Sequence, residues 1–128
     1  MSIIWTNGCF DILHRGHIEM LEYAKSLGHT LYVGIDADKK VRNDKGSSRP
    51  FNCQEDRKYL LESIRFVDSV IIFESKEDLE KNIQKLNPDF LVVGSDWEGK
   101  DVVGAQYASE IKFFNRIGEY STTKVLGK

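Results

Sequence analysis

Apolar residues fall along this chain in two rhythms: short unbroken runs, and stripes spaced three or four residues apart. The run at residues 3–6 reads as a buried strand ending at an Asn7-Gly8 turn. Residues 16–27 place Ile18, Leu21, Ala24 and Leu27 on one helical stripe, with Gly28 positioned as a C-terminal cap. A second strand follows at 30–35. Residues 36–50 are polar and rich in Lys, Asp, Gly and Ser, which predicts a long mobile loop. Asn52, with Glu55 three residues on, has the form of a capping box before a helix that buries Leu60, Leu61 and Ile64. Strands are expected at 67–73, 89–93 and 111–114. A helix marked by Leu79, Ile83 and Leu86 lies between the first two of these, and Ser121 is positioned to cap a final helix. No internal repeat or low-complexity segment interrupts the series.

Strands alternating with helices, several of them continuously apolar, argue for an α/β fold whose parallel sheet is covered on both faces. In such folds ligands sit outside the carboxyl ends of the strands, so the loops at 7–17, 36–50 and 94–104 are where chemistry is expected. At 128 residues the chain is long enough for one domain, 1–128, with its own core. A net charge of -2 provides no broad basic field, which argues against a nucleic-acid partner and leaves room for a small anionic ligand held by local cations. Two cysteines outside any C-x-x-C pair, a short polar N-terminus and no long apolar run together read as a cytoplasmic protein without membrane insertion.

The first loop, T-N-G-C-F-D-I-L-H-R-G-H from Thr6 to His17, leaves a strand, turns at Gly8 and enters a helix near Gly16. His14 and His17 are spaced to point the same way at a helix start, where free N–H groups and the positive dipole end favour a phosphate. Gly16 would let a phosphate oxygen approach the backbone, and imidazole N–H groups can donate to oxygens whose charge grows during phosphoryl transfer. A zinc site with Cys9 would need a further ligand, and no C-x-x-C or H-E-x-x-H accompanies the pair, so no protein metal site is expected. His29 sits at a helix–strand turn and has a structural reading. In the middle of the chain, Lys45 is positioned to neutralise a triphosphate, and Arg49 less so, whereas Lys39, Lys40 and Arg42 read as a solvated charge run. Arg57, a cation in a helix's first turn, opposes the dipole unless an anion lies near, which suggests a phosphate contact. The G-S-D-W-E-G-K segment at 94–100 nearly matches a P-loop, but Asp101 stands where the magnesium-binding hydroxyl belongs, and Asp96 and Glu98 would put carboxylates inside the cradle.

The H-x-G-H step after a G-x-F-D turn resembles the signature of the cytidylyltransferase-like nucleotidyltransferase superfamily. That likeness implies a Rossmann-like three-layer fold with a mostly parallel sheet. It also implies that His14 and His17 stabilise the transition state at an α-phosphate, and that Asn7, Gly8, Phe10 and Asp11 shape the nucleotide loop. The stretches 54–68 and 96–100 resemble glycerol-3-phosphate cytidylyltransferases and bring Asp96 and Trp97 near the nucleotide or acceptor. K-G-x-x-R-P-x-N at 45–52 and D-V-V-G-A at 101–105 are similar instead to the adenylyltransferase domain that makes ADP-heptose. The tail N-R-I-G-E-Y-S-T-T-K resembles the superfamily's second motif, with Arg116, Ser121 and Thr122 as phosphate ligands, although Gly118-Glu119 reverses the motif's order.

The resemblance therefore implies transfer of a nucleoside monophosphate to a phosphorylated small molecule, with release of pyrophosphate. CTP with an acceptor such as glycerol 3-phosphate is favoured over ATP with heptose 1-phosphate. Mg2+ is expected to be carried on the nucleotide phosphates, and the likeness implies a homodimer. A non-catalytic nucleotide-binding module and a redox or zinc protein using Cys9 are the rival classes.

Overall fold

The computed structural model describes residues 2–115. Five strands, β1 (Ile3–Gly8), β2 (Thr30–Asp36), β3 (Ser69–Phe73), β4 (Phe90–Gly94) and β5 (Glu110–Phe114), form one sheet in the order β3-β2-β1-β4-β5. All four pairings are parallel. The chain builds outward from β1 in one direction, then returns to add β4 on its other side. The strand order thus reverses between β1 and β4, and their carboxyl ends flank the place where such folds open a crevice.

Side chains alternate across the sheet with period two and divide the core. One face gathers Ile4, Leu31, Val33, Ile35, Val70 and Val92 beneath Leu21 and Ala24 of α1 (Arg15–Ser26) and Leu61 of α3 (Gln54–Glu62). The other gathers Trp5, Phe73 and Leu91 beneath Leu79 and Ile83 of α4 (Lys76–Leu86), with Val102, Val103 and Tyr107 from the β4–β5 connection extending that cover. The result is the expected three-layer α/β arrangement, with an irregular segment taking the place of a helix between β4 and β5. Gly34 has a steric role: a Cβ there would come within 2.4 Å of the Trp5 indole.

The structure revises several local expectations. Residues 36–50 contain a helix, α2 (Asp38–Lys45), because Val41 is buried and Lys40 pairs with Asp44 one turn along. Helix α3 is capped at Cys53 without a side-chain bond, because the Asn52 amide donates to the Asp11 carbonyl. Its buried face is Arg57 and Leu61, whereas Leu60 is 43% exposed. The cap of α1 is Leu27 in ordinary helical conformation, and Gly28 is needed for space: a Cβ there would strike Ile4 and Ser2. Strand β1 continues through Asn7 and Gly8, which pair with Gly34 and Ile35.

Candidate active site

The carboxyl ends of β1, β2, β3 and β4 open into a cleft of about 850 Å³. Thr6 joins the two central strands at its floor by donating its hydroxyl hydrogen to the Val92 carbonyl at 2.8 Å. Beyond Gly8 the chain turns through Phe10 at φ 50°, a left-handed conformation that costs a non-glycine residue about 1–3 kcal/mol. The turn is held because Phe10 is buried with its ring edge against His17, at a centroid distance of 5.1 Å.

His14 is the N-cap of α1, and its Nδ1 accepts from the Gly16 N–H at 3.1 Å. His17 Nδ1 accepts from the His14 N–H at 3.3 Å, closing a capping box made by two histidines. Their rings stack with centroids 3.8 Å apart. Because each Nδ1 is an acceptor, each neutral ring carries its proton on Nε2. A cap that satisfies the orphan helix N–H groups therefore also sets the tautomer of two donors beside the cleft.

Among the described residues the cleft walls differ in chemistry. The β2–β3 flank brings Lys40, Lys45, Arg49 and Lys76 together with Asp36 and Asp44. The β4–β5 flank presents Val93, Val102, Val103, Trp97 and Phe114 with one carboxylate, Asp96. Lys40 binds Asp44 at 2.7 Å and Asp36 at 3.4 Å. Partial burial works against its charge, but the two carboxylates outweigh it and raise the pKa, so Lys40 stays protonated. Burial pushes the Cys9 thiol up, and the positive charges of Lys45 and Arg57 only partly oppose this. The thiol is accordingly a poorer nucleophile and metal ligand than an ordinary cysteine.

Of the residues singled out from sequence, Asn7, Gly8, Phe10, His14, Gly16, His17, Lys45 and Asp96 line this cleft, and Trp97 stands at its edge, 47% exposed. Asp11 and Arg57 lie behind it, each 1% exposed. Arg57 was expected to contact phosphate. Its guanidinium instead donates to the carbonyls of Cys9, Asp36 and Asn52 at 3.0, 2.7 and 3.0 Å, and to the Asp38 carboxylate at 2.8 Å. It ties the ends of β1 and β2 to the starts of α2 and α3. The Asp11 carboxylate accepts from the Phe51 and Asn52 N–H groups at 3.0 and 2.9 Å and from Arg49 at 3.0 Å. Burial alone would raise its pKa, but these donors reverse the effect and hold it below the ordinary carboxylate value. Arg116, Ser121 and Thr122 lie outside the described residues.

Lys40, read as part of a solvated run, lines the cleft, and so does Lys76, which sequence reasoning missed. A positional signal existed for both: each lies within a few residues of a strand's carboxyl end, where the loops of a parallel sheet converge. No cluster of three metal-ligating side chains and no helix long and apolar enough to cross a membrane occurs among the described residues.

Comparison with known proteins places this geometry in a wider set. The chain is 45% identical to the bifunctional protein HldE of Campylobacter fetus subsp. fetus over 128 residues, and 48% identical to that of Aliarcobacter butzleri over 125. These alignments cover 99% and 98% of this chain but 28% and 26% of the relatives, so it spans about a quarter of their length. A solved lipopolysaccharide core biosynthesis protein from Thermoplasma volcanium GSS1 superposes with TM-score 0.69 at 28% identity, covering 94% of this chain and 99% of that one. The family model described as cytidylyltransferase-like matches residues 5–125. With a histidine pair at the switch point of a parallel sheet and a match over nearly its whole length, the chain belongs to the cytidylyltransferase-like family of nucleotidyltransferases.

Proposed function

We propose that this chain transfers AMP from ATP to a heptose 1-phosphate and releases pyrophosphate. The observation that carries the reaction class is the stacked His14–His17 pair, oriented by its own capping bonds at the mouth of β1. The HldE relatives favour ATP and heptose 1-phosphate over CTP and glycerol 3-phosphate. The K-G-x-x-R-P-x-N segment agrees, since its Lys45 and Arg49 both line the cleft.

An oxygen of the acceptor phosphate attacks the α-phosphorus of ATP in line. The new O–P bond forms as the bond to the β-phosphate oxygen breaks, and pyrophosphate leaves with that electron pair. The acceptor phosphate is already ionised, so no side chain need act as base. The protein's contribution is positioning and charge stabilisation. The Nε2–H groups of His14 and His17 would donate to the α-phosphate oxygens as their charge grows, and Lys45 and Lys76 would neutralise the phosphates. Mg2+ would arrive on the triphosphate and neutralise charge there. The cleft carboxylate Asp96 forms no ion pair among the described residues and suits such an ion as an oxygen ligand.

The test is pyrophosphate release with ATP and CTP in parallel, each with heptose 1-phosphate and glycerol 3-phosphate. Turnover is expected with ATP and heptose 1-phosphate, and His17→Ala should lower kcat by about 10²–10³ while the protein remains folded. Turnover with CTP and glycerol 3-phosphate alone would reinstate the pair favoured by residues 54–68 and 96–100. Tight triphosphate binding with no turnover in any combination would indicate a binding module.

A further inference from the structure

The cations of the cleft are not equivalent. Lys40 is engaged by Asp36 and Asp44, whereas Lys45 and Lys76 form no ion pair among the described residues. Arg49 differs from all three. Its Nε donates to Asp11 Oδ2 at 3.0 Å, and Asp11 is itself 1% exposed and held by two backbone N–H groups. The Phe51 ring lies 5.5 Å from the guanidinium carbon. The side chain is thus fixed at its base by a carboxylate that is itself held in place. A guanidinium offers five N–H donors in a planar fork, and the terminal nitrogens of Arg49 have no partner among the described residues. Arg49 lines the cleft, and its anchor Asp11 stands in the short loop that leads to His14.

We propose that Arg49 binds the phosphate of the acceptor and that Asp11 is its positioning residue, aiming the fork at a phosphomonoester beside the histidine pair. This rests on the function proposed above and deepens it. In-line transfer puts the attacking and leaving oxygens on opposite sides of the α-phosphorus, so the acceptor and the pyrophosphate cannot share one position. A flat, uncharged base suits the β4–β5 flank, where the described lining holds no cation. Both anions then meet the cations of the β2–β3 flank, where Lys45 and Lys76 serve the leaving pyrophosphate and Arg49, tied through Asp11 to the loop that leads to His14, is left for the acceptor. A fork suits this acceptor because its phosphate is the nucleophile: two oxygens held by parallel N–H donors leave the third to attack. Lysine, a point charge, could not bond Asp11 and offer a planar pair of donors together.

The experiment measures steady-state pyrophosphate release with ATP and heptose 1-phosphate varied in turn, for wild type, Arg49→Gln, Arg49→Lys, Asp11→Asn and the Asp11→Asn/Arg49→Gln double variant. Calorimetric binding of heptose 1-phosphate and circular dichroism of each protein accompany the kinetics. Arg49→Gln should raise the acceptor KM and weaken acceptor binding about 10- to 100-fold, leaving the ATP KM nearly unchanged. Arg49→Lys should behave like Arg49→Gln. The double variant should match Arg49→Gln in acceptor KM, because a positioning residue has no effect once its client is gone. If Asp11→Asn fails to fold, the two Arg49 variants decide the matter. An acceptor KM unmoved by Arg49→Gln, an equal rise in the ATP KM, or full rescue by lysine overturns the inference, even where wild type turns over. Wild type that binds nucleotide but neither binds nor converts heptose 1-phosphate removes the functional reading and this inference with it.

Discussion

At Arg57 one buried guanidinium satisfies three carbonyls and a carboxylate drawn from separate segments of the chain. Removing it would leave the Asp38 charge and the carbonyls of Cys9, Asp36 and Asn52 without donors, whereas removing an exposed arginine costs almost nothing. Arg57→Met is therefore expected to destabilise the protein by about 3–5 kcal/mol, read as a lower urea midpoint with an unchanged slope. A loss below about 1 kcal/mol would mean that the four acceptors find water or other donors. The histidine pair was legible from sequence because its geometry is local: an i, i+3 spacing at a helix start brings two rings together wherever the helix lies. Arg57 was not. Its position in a first turn signals an unmet anion, but whether that anion is a ligand or the protein's own Asp38 depends on residues that meet it only in the fold.

Helix α2 shows the same division at the scale of an element. Its sequence, D-K-K-V-R-N-D-K, has one apolar residue, so no periodic stripe announces a helix. It forms because Val41 reaches the core, Lys40 braces Asp36 and Asp44, and Arg57 holds Asp38 at its start. Gly46 ends it at φ 100°, and a Cβ there would meet nothing within 4 Å. Substitution at Gly46 thus tests backbone conformation alone. Gly46→Ala should cost about 1–3 kcal/mol in urea unfolding and raise the KM values, because Lys45 and Arg49 flank the turn. An unchanged midpoint would show that the turn relaxes freely. By contrast α4, with Leu79, Ile83 and Leu86 at helical spacing, was legible because its apolar stripe is encoded locally, and the structure adds Ser75 as its cap.

For the whole molecule, two carboxylates connect stability to pH. Burial would raise the pKa of Asp11 and of Asp68. It is outweighed at Asp11 by the Asn52 and Phe51 N–H groups and Arg49, and at Asp68 by Lys25 and the Leu31 N–H, so both are lowered. A carboxyl harder to protonate when folded stabilises the fold above its unfolded pKa, about 3.9, and loses that contribution as pH falls through the lower folded value. Stability should therefore hold above about pH 5 and fall progressively below it, and Asp68→Asn should flatten part of that fall in urea titrations from about pH 6 to 2.5. A wild-type curve of unchanged slope across that range would remove both residues from the account.

The sequence by itself determined the α/β class, the strands β1 to β5 with the helices α1, α3 and α4 between them, and the histidine pair. These depend on side-chain period, caps and spacings of a few residues, which the chain carries wherever it goes. The tertiary structure alone decided that β4 returns to the far side of β1, that the cleft opens between their ends, and that Lys40, Lys76 and Arg49 meet in its walls. It also decided that Arg57 and Asp11 hold the site from behind. These outcomes join residues tens of positions apart, and whether a charge faces solvent, ligand or an opposite charge is settled only when the strands are ordered and the loops at their carboxyl ends converge.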